Sequence, residues 1–304
     1  MFLSDFELKD FRIFSPEEAE ERGVLFSLNE HSSSSGNYKG SAPSFMFIPD
    51  PLPFVKYKSA FDLVQHHIHR GDTFLLNLTF PTPLDTDLTL EEIYRLSNAK
   101  YKLYLPENFV VFSPESFVKI IDGIIFSYPM KGTMDASLPD AERLIMEDEK
   151  ELREHVTIVD LIRNDLSIVS RDVEVSRFRY VDRLKTSNGD LLQVSSEIRG
   201  RLPEDWKEKL GDILIRLLPA GSVSGAPKPS TLNIISRAEG SVRGFFTGVF
   251  GYFDGSSLDS AVMIRYIEKK EGVLQFRSGG GITGMSDAME EYRELIRKVY
   301  VPFA

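Results

Sequence analysis

The chain alternates between short β-favouring runs and helical segments, without the regular strand–helix rhythm that builds a parallel sheet. Two β-favouring runs within 109–129 meet at Asp122-Gly123, and a similar turn follows at Asp254-Gly255. Asp-Gly between apolar runs is a strong signal for a hairpin of antiparallel strands. Helices are predicted at 59–71, 89–98, 139–166 and 205–217, and near the C-terminus. The pattern therefore favours the α+β class.

Local signals mark the first helix and its neighbours. Ser59 can cap a helix whose apolar residues fall on one face, and Gly71 suits its end. Residues 73–80 predict a strand, which we expect to be closed by the prolines that follow it. The Ser- and Gly-rich segment 32–40 predicts a flexible loop tip.

Composition restricts the classes of protein to which the chain can belong. Of its 304 residues, 42% are hydrophobic, which is enough for a substantial core. The absence of cysteine excludes disulfides and thiolate catalysis, and it fits a reducing cytoplasm. A net charge of −10 disfavours nucleic acid as a partner and requires any site for an anionic substrate to be locally positive. We find neither a signal peptide nor a run of roughly 20 apolar residues, so we expect a cytoplasmic protein without membrane contact.

Two helical segments carry glutamates three residues apart, Glu151 with Glu154 and Glu291 with Glu294. Residues at positions i and i+3 share one helix face. If the two pairs converged, they would offer the hard oxygen donors that Mg²⁺ prefers. Such pairs also occur on ordinary solvent-facing helices, so the spacing alone leaves both interpretations open.

Three further segments could contact a substrate. Lys131 follows an apolar strand, where a half-buried lysine can act as a nucleophile or base, or can simply lie at the surface. Gly279-Gly280-Gly281 leads toward the last helix, and residues 221–228 offer hydroxyls, backbone N–H groups and a lysine. Either segment could bind an anion or be an ordinary loop. The glycine spacing at 221–228 is not that of a P-loop.

From about Ser59 onward the sequence resembles the chorismate-binding enzymes. These include component I of anthranilate synthase, component I of aminodeoxychorismate synthase, and the isochorismate and salicylate synthases. The motifs that carry the resemblance follow in the family's order: GDTFLLNLT, FSPESF, YPMKGT, REHVTIVDLIRNDL, VSSEIRG, PAGSVSGAPK, GVFGYF, AVMIRY and SGGGI. Each motif is weak alone, whereas the ordered set is highly specific.

The resemblance implies one large catalytic domain at 59–304, with two antiparallel sheets packed together and helices outside. Residues 1–58 would form a short N-terminal segment packed on that domain. Chorismate is the implied substrate, and Mg²⁺ is the implied cofactor. The chain lacks most of the N-terminal region in which larger relatives bind tryptophan, so we expect no feedback control by tryptophan.

The resemblance also implies roles for individual residues. Glu154 and Glu294 match the glutamates that hold Mg²⁺, with Glu151 and Glu291 in support. Glu115 matches the general acid/base that handles the departing C4 hydroxyl. The implied substrate-binding residues, among which Arg265 receives the enolpyruvyl carboxylate, are Arg265, Tyr252, Gly279, Gly280, Gly281, Ser224, Lys228 and Thr133.

The residue type at the position of Lys131 distinguishes the members of the family. Aminodeoxychorismate synthases usually carry lysine at this place, while anthranilate synthases carry alanine. The resemblance therefore favours amination of chorismate to 4-amino-4-deoxychorismate, which leads to para-aminobenzoate and folate, with Lys131 as a catalytic nucleophile. Ammonia would come from a separate glutamine amidotransferase subunit. Component I of anthranilate synthase, an isochorismate synthase and a non-catalytic relative remain alternatives.

Three positions depart from the family pattern. Leu75 stands where the family usually has glutamine, or lysine in the water-adding members, which argues against isochorismate synthesis. Leu192 replaces a usual histidine, and Met134-Asp135-Ala136 replaces a tail that usually contains arginine. These changes bear on substrate contacts and turnover but not on the expected metal site.

Overall fold

A computed structural model describes residues 1–29, 31–33, 45–186 and 189–302. From residue 34 onward, the predicted loop tip at 32–40 lies outside the described residues. The helices are α1 (Pro16–Glu21), α2 (Phe54–His69), α3 (Leu90–Leu96), α4 (Ala141–Glu147), α5 (Glu149–Ser167), α6 (Leu210–Leu217), α7 (Gly221–Ser224), α8 (Lys228–Glu239) and α9 (Ala288–Arg297). The strands are β1 (Phe2–Ser4), β2 (Phe11–Ile13), β3 (Leu25–Leu28), β4 (His31–Ser32), β5 (Phe47–Pro49), β6 (Leu75–Thr86), β7 (Tyr101–Leu105), β8 (Phe109–Ser113), β9 (Ser116–Ile121), β10 (Ile124–Ser127), β11 (Met130–Asp135), β12 (Arg171–Thr186), β13 (Gly189–Arg201), β14 (Gly225–Ala226), β15 (Val249–Phe253), β16 (Leu258–Val262), β17 (Tyr266–Lys270) and β18 (Val273–Ile282).

The chain forms two compact units, each built from segments that are separate along the sequence. Unit 1 comprises Met1–Glu115, Val223–Tyr252 and Ala261–Ala304, and unit 2 comprises Ser116–Ser222 and Phe253–Ser260. The described strands belong to two nine-stranded sheets with antiparallel pairing. The α+β class with two antiparallel sheets and helices is therefore confirmed. The predicted boundary at residue 58 stays a prediction, and residues 1–58 lie in unit 1.

One sheet lies entirely in unit 1, with strand order β14-β6-β18-β17-β8-β7-β3-β4 and with β5 also paired to β6. In the other layer of this unit, β1 pairs with both β2 and β15, and Leu3 lies opposite Phe250. Leu3 and Phe250 are fully buried in a cluster with Tyr101 and Val111 of the first sheet. Burying an apolar side chain of this size contributes about 1.5–3 kcal/mol, so this cluster is a main source of cohesion between the layers.

Three helices pack against β6 and β18 in unit 1. Val64 of α2, Ile234 of α8 and Leu295 of α9 are buried in one cluster with Leu78 of β6 and Ile282 of β18. This packing fixes α9 along the glycine-containing end of β18. The glutamates of α9 are thereby held next to those glycines.

In unit 2 the strand order is β11-β13-β10-β9, and β12 also pairs with β13. The Asp122-Gly123 turn joins β9 to β10 with φ angles of 51° and 73°, which confirms the predicted hairpin. Ile145 of α4 packs with Leu192 and Val194 of β13, and α5 also contacts β11 and β13. Among the described helices of the chain, none is long and apolar enough to cross a membrane.

The first long helix begins earlier than predicted. α2 starts at Phe54 after Pro53, so Ser59 lies inside the helix and does not cap it. Phe54 and Tyr57 extend the buried face toward the N-terminus. Tertiary burial rather than a capping side chain therefore sets the start. The predicted end is correct, since Gly71 follows the helix with a φ of 79°.

The strand after this helix is longer than predicted, because β6 continues through Pro81 and Pro83 to Thr86. Proline cannot donate to a ladder, so it is tolerated where its N–H would face an open edge. Pro81 and Pro83 lie two and four residues after Thr79, so their backbone nitrogens are on the same side of the strand as the N–H of Thr79. That N–H points to the side chain of Glu239 and not to β18. The prolines therefore remove no hydrogen bond from the β6–β18 ladder.

Three other predicted elements differ in their bounds. The helix expected at 139–166 is divided at Asp148, which ends α4 and caps α5 by accepting the N–H of Glu151 at 2.9 Å. The helix expected at 205–217 begins only at Leu210. Gly279–Gly281 do not lead directly into a helix but form the end of β18, opposite Asn77–Thr79. Their N–H groups are therefore not the free donors of a helix N-terminus.

Candidate functional site

The predicted site residues fall in both units, and each unit brings its own set together. In unit 2, Lys131 of β11 donates to Oε2 of Glu154 on α5 at 2.8 Å. Both side chains are about one-quarter to one-third exposed, at 31% and 23%. β11 is held opposite β13 with Lys131 beside Val194, and a bulge follows between Lys131 and Thr133.

Glycine is required at this bulge. Gly132 has a φ of 74°, and a Cβ atom there would lie 3.3 Å from Oε2 of Glu151. Asp148 orients the first turn of α5 by accepting the N–H of Glu151. The carboxylates of Glu151 and Glu154 therefore both point toward β11, as their spacing predicted. Thr133, the next predicted residue, is exposed.

A buried histidine, which the sequence did not indicate, anchors this part of α5. His155 is 1% exposed, and its Nε2 lies 2.6 Å from the hydroxyl of Ser196 on β13. The same hydroxyl accepts the N–H of Arg179 at 2.9 Å. Burial, followed by the nearby charges of Arg179 and Lys131, lowers the pKa of His155 to about 4. At neutral pH this histidine is a neutral link between α5 and β13.

In unit 1, the two glutamates of α9 lie over a glycine of β18. A Cβ atom at Gly280 would be 3.2 Å from Oε2 of Glu291 and 3.6 Å from Oε1 of Glu294. Glu291 is 8% exposed, and Glu294 is more open. The two glutamates therefore share one face of α9, with Gly280 of the predicted glycine run beside them, and their role in metal binding stays a prediction.

Two residues that sequence reasoning missed complete this group. Lys298 lies one turn beyond Glu294 and contacts its carboxylate at 2.5 Å, while donating to the carbonyl of Gly279 at 2.8 Å. Burial raises the pKa of Tyr57 of α2, and the carboxylates of Glu291 and Glu294 raise it further. The i, i+4 spacing of Glu294 and Lys298 was a visible signal, whereas the contribution of Tyr57 depends on long-range packing.

The segment 221–228 contains the short helix α7, the short strand β14 and the start of α8. Ser224 is fully buried at the end of α7, and Lys228 is half-buried at the first position of α8. Between them, Gly225 has a φ of 129°, and a Cβ atom there would lie 2.0 Å from the carbonyl oxygen of Leu75. Only glycine permits this approach, which seats Ser224 against the start of β6.

Arg265 and Glu115 come from neighbouring segments of unit 1. The carbonyl of Arg265 accepts the N–H of Phe112, and the carbonyl of Glu115 accepts the N–H of Val262, each at 3.1 Å. Arg265 has a φ of 53°, and its guanidinium lies 5.3 Å from the ring centre of Tyr300. The backbones of Arg265 and Glu115 are therefore fixed by hydrogen bonds to Phe112 and Val262.

Tyr252 lies in different surroundings. Its ring stacks on His31 at 4.6 Å and on Phe26 at 5.9 Å between ring centres. These three residues line a cavity of about 570 Å³ beside α1 in unit 1. The cavity is lined by none of the other predicted substrate-binding residues, and the role of Tyr252 in binding stays a prediction.

The donor chemistry of both carboxylate pairs fits Mg²⁺, which prefers carboxylate oxygens. The described residues contain no group of three or more histidine, aspartate or glutamate side chains arranged to hold a metal ion. In unit 1 the carboxylates of Glu291 and Glu294 both lie beside Gly280, and in unit 2 the carboxylate of Glu151 lies beside Gly132. Because Lys131 and Lys298 are ion-paired with Glu154 and Glu294, a bound cation would compete with an ammonium group in each case.

The chain matches known proteins over nearly its whole length. A model of the family described as chorismate binding enzyme matches residues 16–303. An uncharacterized PabA-like protein of Haemophilus influenzae is 50% identical over 301 residues, which are 99% of this chain and 91% of that protein. A second protein so described, from Pasteurella multocida, is 49% identical over 99% of this chain and 93% of its own length.

Relatives with a named activity are more distant. Anthranilate synthase component 1 of Acetivibrio thermocellus is 32% identical over 77% of this chain but only 49% of its own length, so the chain spans about half of that relative. The crystal structure of anthranilate synthase component I from Streptococcus pneumoniae superposes with a TM-score of 0.69 at 28% identity, over 84% of this chain and 58% of that one. A putative isochorismate synthase from Bacillus anthracis gives 0.70 at 21% identity, over 93% of this chain and 84% of that one, which shows the shared fold.

Proposed function

The chain belongs to the chorismate-binding enzyme family, and we propose that it aminates chorismate at C4, as component I of an aminodeoxychorismate synthase. One observation carries the proposal. Lys131, which distinguishes these synthases in the family resemblance, lies 2.8 Å from Glu154 and beside the helix that bears both predicted metal-binding glutamates of unit 2.

The reaction would proceed in two displacements through the conjugated double bonds of the ring. Lys131, once it has lost its proton, adds at C2 while Glu115 gives a proton to the C4 hydroxyl, which leaves as water. Ammonia then adds at C4, the bond between C2 and the lysine nitrogen breaks, Lys131 leaves as the neutral amine and the ring double bonds return to their original positions. The new amine at C4 gives its extra proton back to Glu115. The sum is chorismate plus ammonia giving 4-amino-4-deoxychorismate plus water. Splitting one difficult displacement into two is the usual benefit of a nucleophilic side chain.

Charge is the main problem that the binding residues have to solve. The substrate is a dianion, and the chain carries a net charge of −10. Arg265 and Lys228 supply cations for the carboxylates, and Ser224 supplies a hydroxyl. The resemblance assigns Mg²⁺ to Glu154 and Glu294, with Glu151 and Glu291 in support, and the ion would neutralise the ring carboxylate and draw electrons from the conjugated ring. Glu151 and Glu154 belong to unit 2, whereas Glu291 and Glu294 belong to unit 1, so the role of each pair can be tested by substitution in that pair alone.

The source of ammonia is a separate glutamine amidotransferase subunit. The sequence has no cysteine, so it cannot provide the thiolate that releases ammonia from glutamine in such systems. The absence of cysteine also agrees with a reducing cytoplasm as the site of action.

Product analysis tests the proposal. The purified chain is incubated with chorismate, Mg²⁺ and ammonium chloride at about pH 8.5, and the products are separated and identified by mass and by NMR. We expect 4-amino-4-deoxychorismate. Unchanged chorismate under all conditions, or isochorismate, would contradict the proposal.

A second candidate is amination at C2, because several relatives are named anthranilate synthase component 1. The same incubation separates the two reactions. Anthranilate is released together with pyruvate, whereas 4-amino-4-deoxychorismate keeps the enolpyruvyl group. Formation of pyruvate in proportion to the ammonia consumed would favour the second candidate.

A further inference from the structure

A buried ion pair lies behind the predicted substrate-binding segments of unit 1. Arg243 and Glu239 have side chains that are each 1% exposed, and the guanidinium donates to both carboxylate oxygens, at 2.6 and 2.9 Å. Charges in such a place are stable only when all their hydrogen-bonding groups are used. The partners of the remaining donors and lone pairs therefore show what the pair holds together.

Apart from one donation by Arg243 to the hydroxyl of Thr247 at 3.3 Å, the remaining side-chain bonds go to two backbone segments. Arg243 donates to the carbonyl of Asn77 at 2.6 Å and to the carbonyl of Val223 at 2.8 Å. Glu239 accepts the N–H and the hydroxyl of Thr79, each at 2.9 Å. One ion pair thus connects β6 to the residue that precedes Ser224.

The ion pair forms hydrogen bonds with an edge of β6 that no described strand covers. β14 pairs with β6 only at Leu75 and Leu76, and β5 pairs with it only from Leu84 onward. In the described part of the chain, no strand pairs with the intervening edge. Asn77 and Thr79 point their backbone groups toward that edge, and Arg243 and Glu239 bind both. Unsatisfied groups there would be costly, because the surrounding side chains exclude water.

The residues held in this way lie opposite the glycine run. Asn77, Leu78 and Thr79 pair with Gly281, Gly280 and Gly279 respectively. The fit is close, because a Cβ atom at Gly279 would lie 2.3 Å from the carbonyl oxygen of Leu78. A small movement of β6 would therefore move the glycines, and with them the strand over which Glu291 and Glu294 lie.

We propose that Arg243 and Glu239 are positioning residues for the substrate site, which set the distance between the glycine strand and the Ser224 segment. This inference rests on the proposed function, since it takes both segments to contact chorismate. The side chains of the pair bond to none of the predicted substrate-binding residues and reach the two segments through Asn77, Thr79 and Val223. Its effect is on the binding geometry of the folded enzyme as well as on stability.

Substitution by lysine separates geometry from charge. Arg243→Lys keeps a cation beside Glu239, but one ammonium cannot reproduce the planar fork that reaches two carbonyls and two carboxylate oxygens. We expect a folded protein whose dissociation constant for chorismate rises at least 10-fold. Amide exchange at 77–79 and 279–281 should become faster, while exchange in unit 2 stays as in the unaltered protein.

The control is a variant that loses stability elsewhere. Ile93→Ala opens a cavity in the separate core around α3 and should lower the melting temperature without touching the ion pair. Chorismate binding is measured by calorimetry, and turnover with ammonium is measured in parallel, at a temperature where circular dichroism shows every variant to be fully folded. Normal chorismate affinity in folded Arg243→Lys, or an equal loss of affinity in Ile93→Ala, would overturn the proposal.

Two further readouts keep the test decisive. If Arg243→Lys does not fold, Thr79→Val removes a single bond to Glu239 while the strand remains, and it should weaken chorismate binding about 3-fold or more. Unchanged binding in that variant would overturn the proposal. If the unaltered protein neither binds nor aminates chorismate, the proposed function fails, and exchange decides the positioning role. Faster exchange confined to 77–79 and 279–281 supports that role, whereas uniformly faster exchange contradicts it.

Discussion

The ammonium of Lys131 lies 2.8 Å from the carboxylate of Glu154, across the gap between β11 and α5. The family resemblance gives these residues two different tasks, nucleophile and metal ligand. The structure shows that they are also direct partners of each other. A cation that engaged Glu154 would therefore take away a partner of Lys131, so the two tasks are chemically connected.

Removing the negative charge of one glutamate from either carboxylate pair should strongly reduce Mg²⁺-dependent turnover. We expect Glu154→Gln and Glu294→Gln each to lower kcat/KM by about 100-fold or more at limiting Mg²⁺, because a catalytic metal ion stabilises developing charge by several kcal/mol. Steady-state rates over a Mg²⁺ series would measure the effect. The matched controls are Glu149→Gln on α5 and Glu290→Gln on α9, which alter exposed carboxylates of the same helices. Equal losses in the controls would show that the effect is not specific to these pairs.

Adding one methyl group beside the α9 carboxylates should weaken metal use without unfolding the chain. In Gly280→Ala the new Cβ would lie 3.2 Å from Oε2 of Glu291, so the carboxylate has to move by a few tenths of an ångström. We expect the Mg²⁺ concentration for half-maximal rate to rise about 3- to 10-fold, since Mg²⁺ demands near-ideal geometry. Gly211→Ala is the control, because no atom lies within 4 Å of the added group in α6. An unchanged Mg²⁺ requirement in Gly280→Ala would remove Glu291 and Glu294 from the metal site.

The purified chain should use ammonium salts but not glutamine. Without cysteine it lacks the thiolate for glutamine hydrolysis, and uncharged ammonia becomes more abundant as the pH rises. The rate with ammonium chloride should therefore increase between pH 7 and 9. Addition of a glutamine amidotransferase subunit should confer glutamine-dependent turnover. Glutamine-dependent turnover by the chain alone would refute this division of labour.

Lys102 should make stability depend on pH. It is 2% exposed, donates to the carbonyl of Ser97 at 2.7 Å, and burial lowers its pKa to about 8. The folded chain therefore releases a proton at lower pH than the unfolded chain, whose lysines titrate near pH 10.4. The cost of burying the charge is full below pH 8 and falls as the pH rises toward 10.4.

Replacement of this lysine by methionine measures that cost. We expect Lys102→Met to gain about 2 kcal/mol more free energy of unfolding relative to the unaltered chain at pH 7 than at pH 10, as judged by urea denaturation. Lys270→Met, at an exposed position of β17, should show no such difference between the two pH values. A pH-independent effect of Lys102→Met would mean that folding does not lower the pKa of this lysine.

Local signals in the sequence predicted what depends on neighbours along the chain. The Asp122-Gly123 hairpin forms because its turn residues accept positive φ. The i, i+3 glutamate pairs share a face because helix geometry requires it. The predicted start of α2 at Ser59 was wrong. The burial of Phe54 and Tyr57, which only the tertiary fold determines, outweighs the capping ability of Ser59.

Contacts between segments that are distant in sequence could not be predicted at the site. Nothing local indicates that Gly279–Gly281 continue a strand, since their conformation depends on pairing with Asn77–Thr79, some 200 residues earlier in the chain. The contact between His155 and Ser196, and the clamp formed by Arg243, likewise join segments that are distant in sequence. Such contacts follow from topology, which residue patterns specify only in outline.

Trapping the lysine adduct tests the central claim, nucleophilic catalysis by Lys131, most directly. The enzyme is mixed with chorismate and Mg²⁺ without ammonia, quenched in acid, digested, and analysed by mass spectrometry. Lys131→Arg is the control, because it keeps the positive charge beside Glu154 but cannot act as the amine nucleophile. We expect the peptide that contains Lys131 to carry the mass of chorismate less water, and we expect Lys131→Arg to bind chorismate but form neither the adduct nor 4-amino-4-deoxychorismate. An unmodified Lys131 peptide, together with a Lys131→Arg enzyme that still aminates chorismate at C4, would contradict the account.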